Sequence, residues 1–178
     1  MKHLCAALAV WFCAAVPALA QDRAQLPLVG FLRIDTPAAL GLATGGLREA
    51  LAALGYVDGR TIRLDFRLAE GDAGRFPELA AALVRDQPSV IVASGEAAAR
   101  AAQAATQTIP IVATTNDLVA SGLIASLAKP GGNITGISLL VTELDAKRLE
   151  VLTELVPSGR RFGVLNDPAA TGPADVIR

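Results

Sequence analysis

An α/β fold, built as a doubly wound parallel sheet with strand order 2-1-3-4-5, is what this sequence predicts, and three observations predict it. Short apolar runs alternate with helix-length segments from Pro27 to Val156. Most of the runs are rich in valine and isoleucine and bounded by turn residues, as strands buried on both faces are. One run, Ile62 to Leu68, instead alternates apolar with charged residues, the pattern of a sheet edge with one wet face. Right-handed crossovers and that edge strand give the order, with the switch point between strands one and three.

The first twenty residues, MKHLCAALAVWFCAAVPALA, have the parts of a cleavable export signal. Lys2 gives the positive start, Leu4 to Val16 the apolar core, and Ala18-Leu19-Ala20 a small-residue site, with cleavage expected after Ala20. The apolar run is shorter than the ~20 residues that span a bilayer. His3, Cys5, Cys13, Trp11 and Met1 all lie inside this leader. The remaining chain has no His, Cys, Trp or Met, which excludes thiol nucleophiles, disulfides, His-based triads and Cys/His zinc sites. No Asp-rich loop has calcium spacing, so no metal site is expected.

Pro27 opens the run LVGFL and a first strand reaching about Ile34. Asp35, Thr36 and Pro37 start a helix, with an N-cap side chain and a proline in the first turn. Leu40, Leu47, Leu51 and Leu54 recur along it at helical spacing, and Gly55 is a natural C′ residue. Asp58-Gly59 turns the chain into strand two, Ile62 to Leu68. A second helix carries Phe76, Leu79, Ala80, Leu83 and Val84 and stops at Gln87-Pro88. Val90 to Val92 is strand three, and Ser94-Gly95-Glu96 leads into an Ala-rich helix from Ala97 to Ala105. Ile111 to Ala113 is strand four. Val119, Leu123 and Leu127 at four-residue steps predict a helix after it, ended by Lys129-Pro130-Gly131-Gly132. Ile134 to Leu140 is strand five. Thr142 and Asp145 have capping-box spacing ahead of a helix from Leu144 to Pro157, and Phe162 to Leu165 predicts a sixth strand.

Charge points to no polyanionic partner. Of 16 basic residues one, Lys2, is in the leader, leaving 15 against 17 acidic side chains. The remaining aromatics, Phe31, Tyr56, Phe66, Phe76 and Phe162, are too scattered to stack bases, so nucleic acid is not an expected partner. No Gly-rich dinucleotide fingerprint follows strand one, no GxxxxGK[ST] loop occurs, and no G-x-S-x-G elbow is present. No cofactor and no catalytic residue are therefore assigned.

With the order 2-1-3-4-5, the C-terminal ends of strands one, three and four lie side by side. That brings Arg33 to Thr36, Ser94 to Ala97 and Thr114 to Asp117 around one crevice. Helix N-termini at Glu96 and Leu118 offer unpaired N–H groups to a carboxylate or other anion, and Asp117 offers a carboxylate to an ammonium. The plainer alternative is that Thr36, Ser94 and Asp117 are ordinary N-caps. Three polar turns on one rim favour ligand binding.

The sequence blocks PLVGFLR, LREALAALGYVDGRTIRLDFRLAEGD, TIPIVATTNDLVASGLIASLAKPGGNITGIS and ELDAKRLEVLTELVP together resemble the periplasmic solute-binding proteins of ABC importers, in their type I, TrpX-like branch. The match runs from Pro27 to Asp167, and LxxxGY, RxAEG and KPGGNxTG are its diagnostic segments. The resemblance implies two α/β lobes closing on a small solute, an amino acid or small organic acid, without catalysis, and delivering it to an inner-membrane ABC permease. It implies a periplasmic monomer. The ligand-facing positions it carries over are Asp35, Thr36, Ser94, Gly95, Glu96, Ala97, Thr115, Asn116 and Asp117, with Asn166 from the second lobe. Residues 27–140 would form the first lobe, with a hinge near Ser138 to Thr142, and 141–178 only the start of the second. A truncated form that binds solute weakly or not at all is expected on that basis. Two other functions stay open at this point, a ligand-sensing module for a membrane receptor or kinase and a cofactor-free α/β enzyme.

Overall fold

A computed structural model of the chain describes residues 26–140 and 144–163. The predicted leader, Thr142 of the predicted capping box, and Asn166 lie outside the described residues. Five strands form a wholly parallel sheet: β1 (Leu28–Arg33), β2 (Arg63–Leu68), β3 (Val90–Ser94), β4 (Ile111–Thr115) and β5 (Ile134–Ser138). Their order is β2-β1-β3-β4-β5, as expected from the sequence.

Register divides the sheet residues between two faces, because side chains alternate along each strand. One face carries Leu32, Ile91, Ala93, Ile111, Ala113 and Ile134, all essentially without solvent exposure. Helices α2 (Phe76–Arg85) and α3 (Glu96–Ala105) close it, contributing Phe76, Ala80 and Leu83 and then Ala98, Ala99 and Ala102. Three alanines at helical spacing let α3 lie close to β3 and β4, and Gly30 does the same for α2. A Cβ at Gly30 would stand 2.6 Å from either Leu83 methyl, so the missing side chain is what admits the leucine.

The other face carries Phe31, Phe66, Val90, Val92, Val112 and Ile137. Over β1 and β2 lies α1 (Pro37–Ala53). Its Arg48 guanidinium carbon sits 5.7 Å above the Phe66 ring, and Phe66 stacks on Phe31 at 4.6 Å between centroids. Thr36 and Pro37 start this helix as expected, although the Thr36 side chain makes no cap bond. At the other end Gly55, at φ +86°, donates its N–H to the Ala52 carbonyl, and Tyr56 donates to that of Leu51. That pair of bonds is a Schellman motif, which satisfies the last carbonyls. Leu54, expected on the buried stripe, is the C-cap instead and is exposed.

Arg48 also reaches Asp58, whose other oxygen accepts from the Leu64 N–H. Burial acts to raise the Asp58 pKa, but the Arg48 hydrogen bond and charge and the N–H groups of Leu64 and Gly59 outweigh it and hold the carboxyl below its ordinary 3.8. A lowered folded-state pKa stabilises above the unfolded value, and that stability is lost as pH falls through the folded one. Asp58→Asn is therefore expected to lose up to about 1 kcal/mol near neutrality, the range of a partly exposed pair. It should also flatten the stability-versus-pH curve below about pH 4, which urea unfolding across pH would register. An unchanged acid limb would remove Asp58 as a contributor.

Three expectations are corrected. Residues 118–122 form a turn and 123–128 bends and irregular backbone, not a helix, because Gly122 turns left-handed at φ +70° soon after Asp117. The residues that bury there are Leu118, Leu123 and Ile124, while Val119 and Leu127 are exposed. The last helix, α4 (Asp145–Leu155), begins at Asp145 with Leu144 at the N-cap and no side-chain cap bond, so Asp145 is not the third residue of a capping box. Phe162 and Gly163 are not in a strand, and the rest of the predicted sixth strand lies outside the described residues.

Candidate functional site

The rim at the C-terminal ends of β1, β3 and β4 assembles as the strand order requires. Leu32 is level with Ala93, and Ser94 with Thr114, so the turns that follow open side by side. Side chains tie the first two together. Arg33 donates from Nε to Asp35 at 2.6 Å and from a terminal nitrogen to the Ser94 hydroxyl at 3.4 Å. Arg33 and Asp35 are each about a quarter exposed, so their pair is half sheltered at the mouth of the crevice. Thr36 is exposed beside them.

Gly95 joins the second turn to the third by donating its N–H to the Thr114 carbonyl at 2.8 Å. Its backbone, at φ +93° and ψ 157°, is a conformation open essentially to glycine alone. As N-cap of α3 it supplies no side chain, so no side-chain oxygen closes the first-turn N–H groups there. Those N–H groups carry the positive end of the helix dipole and suit an anion. Ser94 is thus not the cap of this helix, contrary to the plainer alternative. Glu96 is half exposed and paired with Arg100, which in turn donates to the Ser121 carbonyl and fastens α3 to the following loop. Ala97 is exposed in the first turn of α3.

In the third turn no helix follows, so the expected helix N-terminus at Leu118 is absent and Asp117 closes a local turn instead of capping a helix. Its Oδ1 accepts from the N–H groups of Val119 and Ala120, while Oδ2 accepts neither. Asn116 is exposed, and its carbonyl accepts from Leu140 as the Thr115 carbonyl does from Leu139. Thr115 is placed differently from its neighbours. Its side chain points away from Thr114, is 3% exposed, and its hydroxyl has no hydrogen-bond partner. A buried hydroxyl left in this state costs about 1–3 kcal/mol.

Asp35, Thr36, Ser94, Gly95, Glu96, Ala97, Asn116 and Asp117 therefore share one rim, Thr115 lies beneath it, and Asn166 lies outside the described residues. Sequence reasoning put Arg33 on the rim and Ser138 at the expected hinge and gave Arg100 no role, and it did not see the bonds these three make. Arg33 holds two turns together, Arg100 fastens α3, and the Ser138 hydroxyl accepts from the Leu118 N–H at 3.1 Å. Arg100 was legible from its four-residue spacing to Glu96. The other two act across the sheet at sequence separations of 61 and 20, where no local pattern exists. Two further concavities lie elsewhere, one along α4 at Leu144, Lys147 and Val151 and one under α1 at Leu51, Tyr56 and Leu64.

A family model described as ABC transporter substrate binding protein matches residues 31–177. A tyrosine-binding protein of Clostridioides difficile is 36% identical over 138 residues, which make up 77% of this chain and 39% of that protein. Among solved structures, a conserved domain protein from Vibrio cholerae matches with a TM-score of 0.66 at 32% identity, over 75% of this chain and 45% of its own. An ABC domain in complex with L-Trp from Streptococcus pneumonia matches with a TM-score of 0.57 at 30% identity, over 64% of this chain and 39% of its own. A substrate binding protein with adhesive properties from Clostridium difficile, in its ligand-free, open structure, gives 0.60 and 32%, over 74% and 44%. The chain thus spans less than half the length of each.

Proposed function

Because this chain belongs to the ABC transporter substrate-binding protein family, we propose that its β1, β3 and β4 rim is one wall of an extracytoplasmic solute site serving an ABC importer. The observation that carries this is the N-terminus of α3. Gly95 leaves its N–H groups without a side-chain cap, between the turn that Arg33 ties to Ser94 and the turn that Asp117 closes. A ligand carboxylate fits against those N–H groups, and an ammonium fits the Asp117 Oδ2. The two charges together describe an amino acid. The names of two relatives, a tyrosine-binding protein and a complex with L-Trp, support that class.

Residues 27–140 form the first lobe in this proposal and 141–178 the start of a second, with Asn166 facing the ligand from there. Residues 1–20 direct export and are removed after Ala20, and delivery is to a permease in the inner membrane. Nothing in the rim calls for catalysis. Titrating the chain with L-Trp, L-Tyr, small neutral amino acids and small organic acids while following backbone amide resonances tests the proposal. Saturable shifts at 94–97 and 115–117 are expected for at least one amino acid. Saturable shifts confined to amides elsewhere would show that this wall is not a solute site, whereas no shift with any solute is the result expected if binding needs the opposing lobe.

A further inference from the structure

An acidic side chain at the first position of a helix is drawn toward the N–H groups there. Glu96 holds that position in α3, directly after Gly95. Left to itself, its carboxylate would sit at the end of the helix that Gly95 leaves uncapped and repel any other anion brought to it. Here it is held elsewhere. Its Oε1 accepts from Arg100 Nε at 2.9 Å and from a terminal nitrogen of Arg100 at 2.7 Å. Arg100 lies four residues on, so the pairing draws the carboxylate along the helix axis by roughly one turn, ~5 Å, away from the N–H groups. The guanidinium is not free to follow the carboxylate back, because it also donates to the Ser121 carbonyl in the loop after β4. Beneath the same end of α3 lies the Thr115 hydroxyl. Thr115 stands one step beyond the level of Ser94 and Thr114 and, by strand alternation, on the face of Ala113 that α3 covers. It is 3% exposed and its hydroxyl has no hydrogen-bond partner. A helix start without a cap and a buried hydroxyl without a partner thus adjoin, each with bonding capacity unused, as in a site that receives its missing partner from a ligand.

We propose that Arg100 is a positioning residue for the solute site: it withdraws the Glu96 carboxylate from the α3 N-terminus and so keeps that end of the helix open to the carboxylate of a solute. This rests on the reading of the β1, β3 and β4 rim as a solute wall. Arg100 itself touches no solute. It neutralises Glu96 and turns it away, which leaves the N–H groups as the positive feature at that point. The other charges on the rim do not substitute for it. Arg33 is engaged by Asp35, and Asp117 closes its own turn through Oδ1. Without Arg100, the unpaired Glu96 charge stands beside the N–H groups that receive the solute carboxylate. Like charges at that range oppose each other by enough to lower affinity about fivefold.

Wild type, Arg100→Met and the double variant Glu96→Gln/Arg100→Met separate this role from a structural one. The Arg100 side chain is 52% exposed and methionine keeps much of its apolar stem, so all three proteins are expected to share one circular dichroism spectrum. A first readout needs no solute: the backbone amides of 97 and 98 are followed from about pH 3 to pH 7, across the range in which carboxylates ionise. On Glu96 ionisation they are expected to shift several-fold more in Arg100→Met than in the wild type. In the double variant that titration disappears, and what remains reports Asp35 and Asp117. The second readout is affinity for any solute that saturates the rim of the wild type. It should fall about fivefold in Arg100→Met and return in the double variant, although the bond to Ser121 is absent from both. Equal amide titrations in wild type and Arg100→Met, or a loss of affinity that the double variant shares, overturns the proposal. A wild type that takes up no solute bears on the wall, and the amide titration then decides the role of Arg100.

Discussion

Gly136→Ala is expected to be the most damaging conservative change in the described chain, with a loss of about 3 kcal/mol. A Cβ at Gly136 would stand 1.7 Å from the Ala113 carbonyl oxygen and 2.7 Å from its carbon. Both are backbone atoms of β4, so no side chain can swing aside and relieve the clash. The two strands must separate at the middle of their ladder, where Ala113 is level with Gly136. Relief by that route gives up hydrogen bonds and exposes Ile111 and Ile134, which are fully buried on either side. The matched control is Gly132→Ala in the turn just before. A Cβ there meets nothing within 4 Å, and the change should stay within about 0.5 kcal/mol, as at most surface positions. Chemical denaturation of both variants gives the comparison. Equal midpoints would show that the sheet yields at Gly136 far more readily than its backbone contacts imply.

A second large effect concerns Leu83, fully buried in α2 against the sheet. Leu83→Ala removes a side chain that the surrounding core cannot replace, and about 2–5 kcal/mol is the expected cost. Gly30→Ala in the wild type presses a methyl against both Leu83 methyl groups at 2.6 Å, an overpacking expected to cost about 1–3 kcal/mol. In the Leu83→Ala background the same methyl enters the space the leucine left. The double variant should then be more stable than the sum of the two losses predicts, by an interaction energy on the order of 0.5–3 kcal/mol. Unfolding free energies of the four proteins close the cycle. Strict additivity would mean that Gly30 is small for a reason other than Leu83.

The strand order was legible because its determinants are local. Alternation in Ile62 to Leu68 marks an edge, and short runs such as Val90–Val92 mark the interior. Turn chemistry was legible for the same reason at Thr36-Pro37 and Gly55, where one or two residues decide the backbone. The stretch after β4 was not. Val119, Leu123 and Leu127 have helical spacing, but Gly122 interrupts it, and the side chains that bury are Leu118, Leu123 and Ile124. Once Gly122 breaks the helix, contacts distant in sequence hold that stretch, Arg100 bonding to the Ser121 carbonyl and Gln103 to that of Leu123.

The candidate site divides along the same line. Which turns converge followed from topology alone. How each side chain is used within them did not, because Asp117 can cap or bind and Thr115 can face rim or core, and a strand's phase at its last residue settles the latter. Gly95 was expected at the rim for its position, and its backbone conformation gives the reason a glycine stands there.

Ala98, Ala99 and Ala102, described above as the packing face of α3, also act as a spacer. They set the height of the helix above the sheet, and thereby the height of its first-turn N–H groups above the ends of β3 and β4. Each methylene added at these positions lifts the helix as a rigid rod, carrying its first-turn N–H groups away from Arg33, Ser94 and Asp117 while every residue at the rim keeps its identity. If the proposed solute site is this wall, its grip is adjustable from inside the core, by substitutions that a list of rim residues would never include.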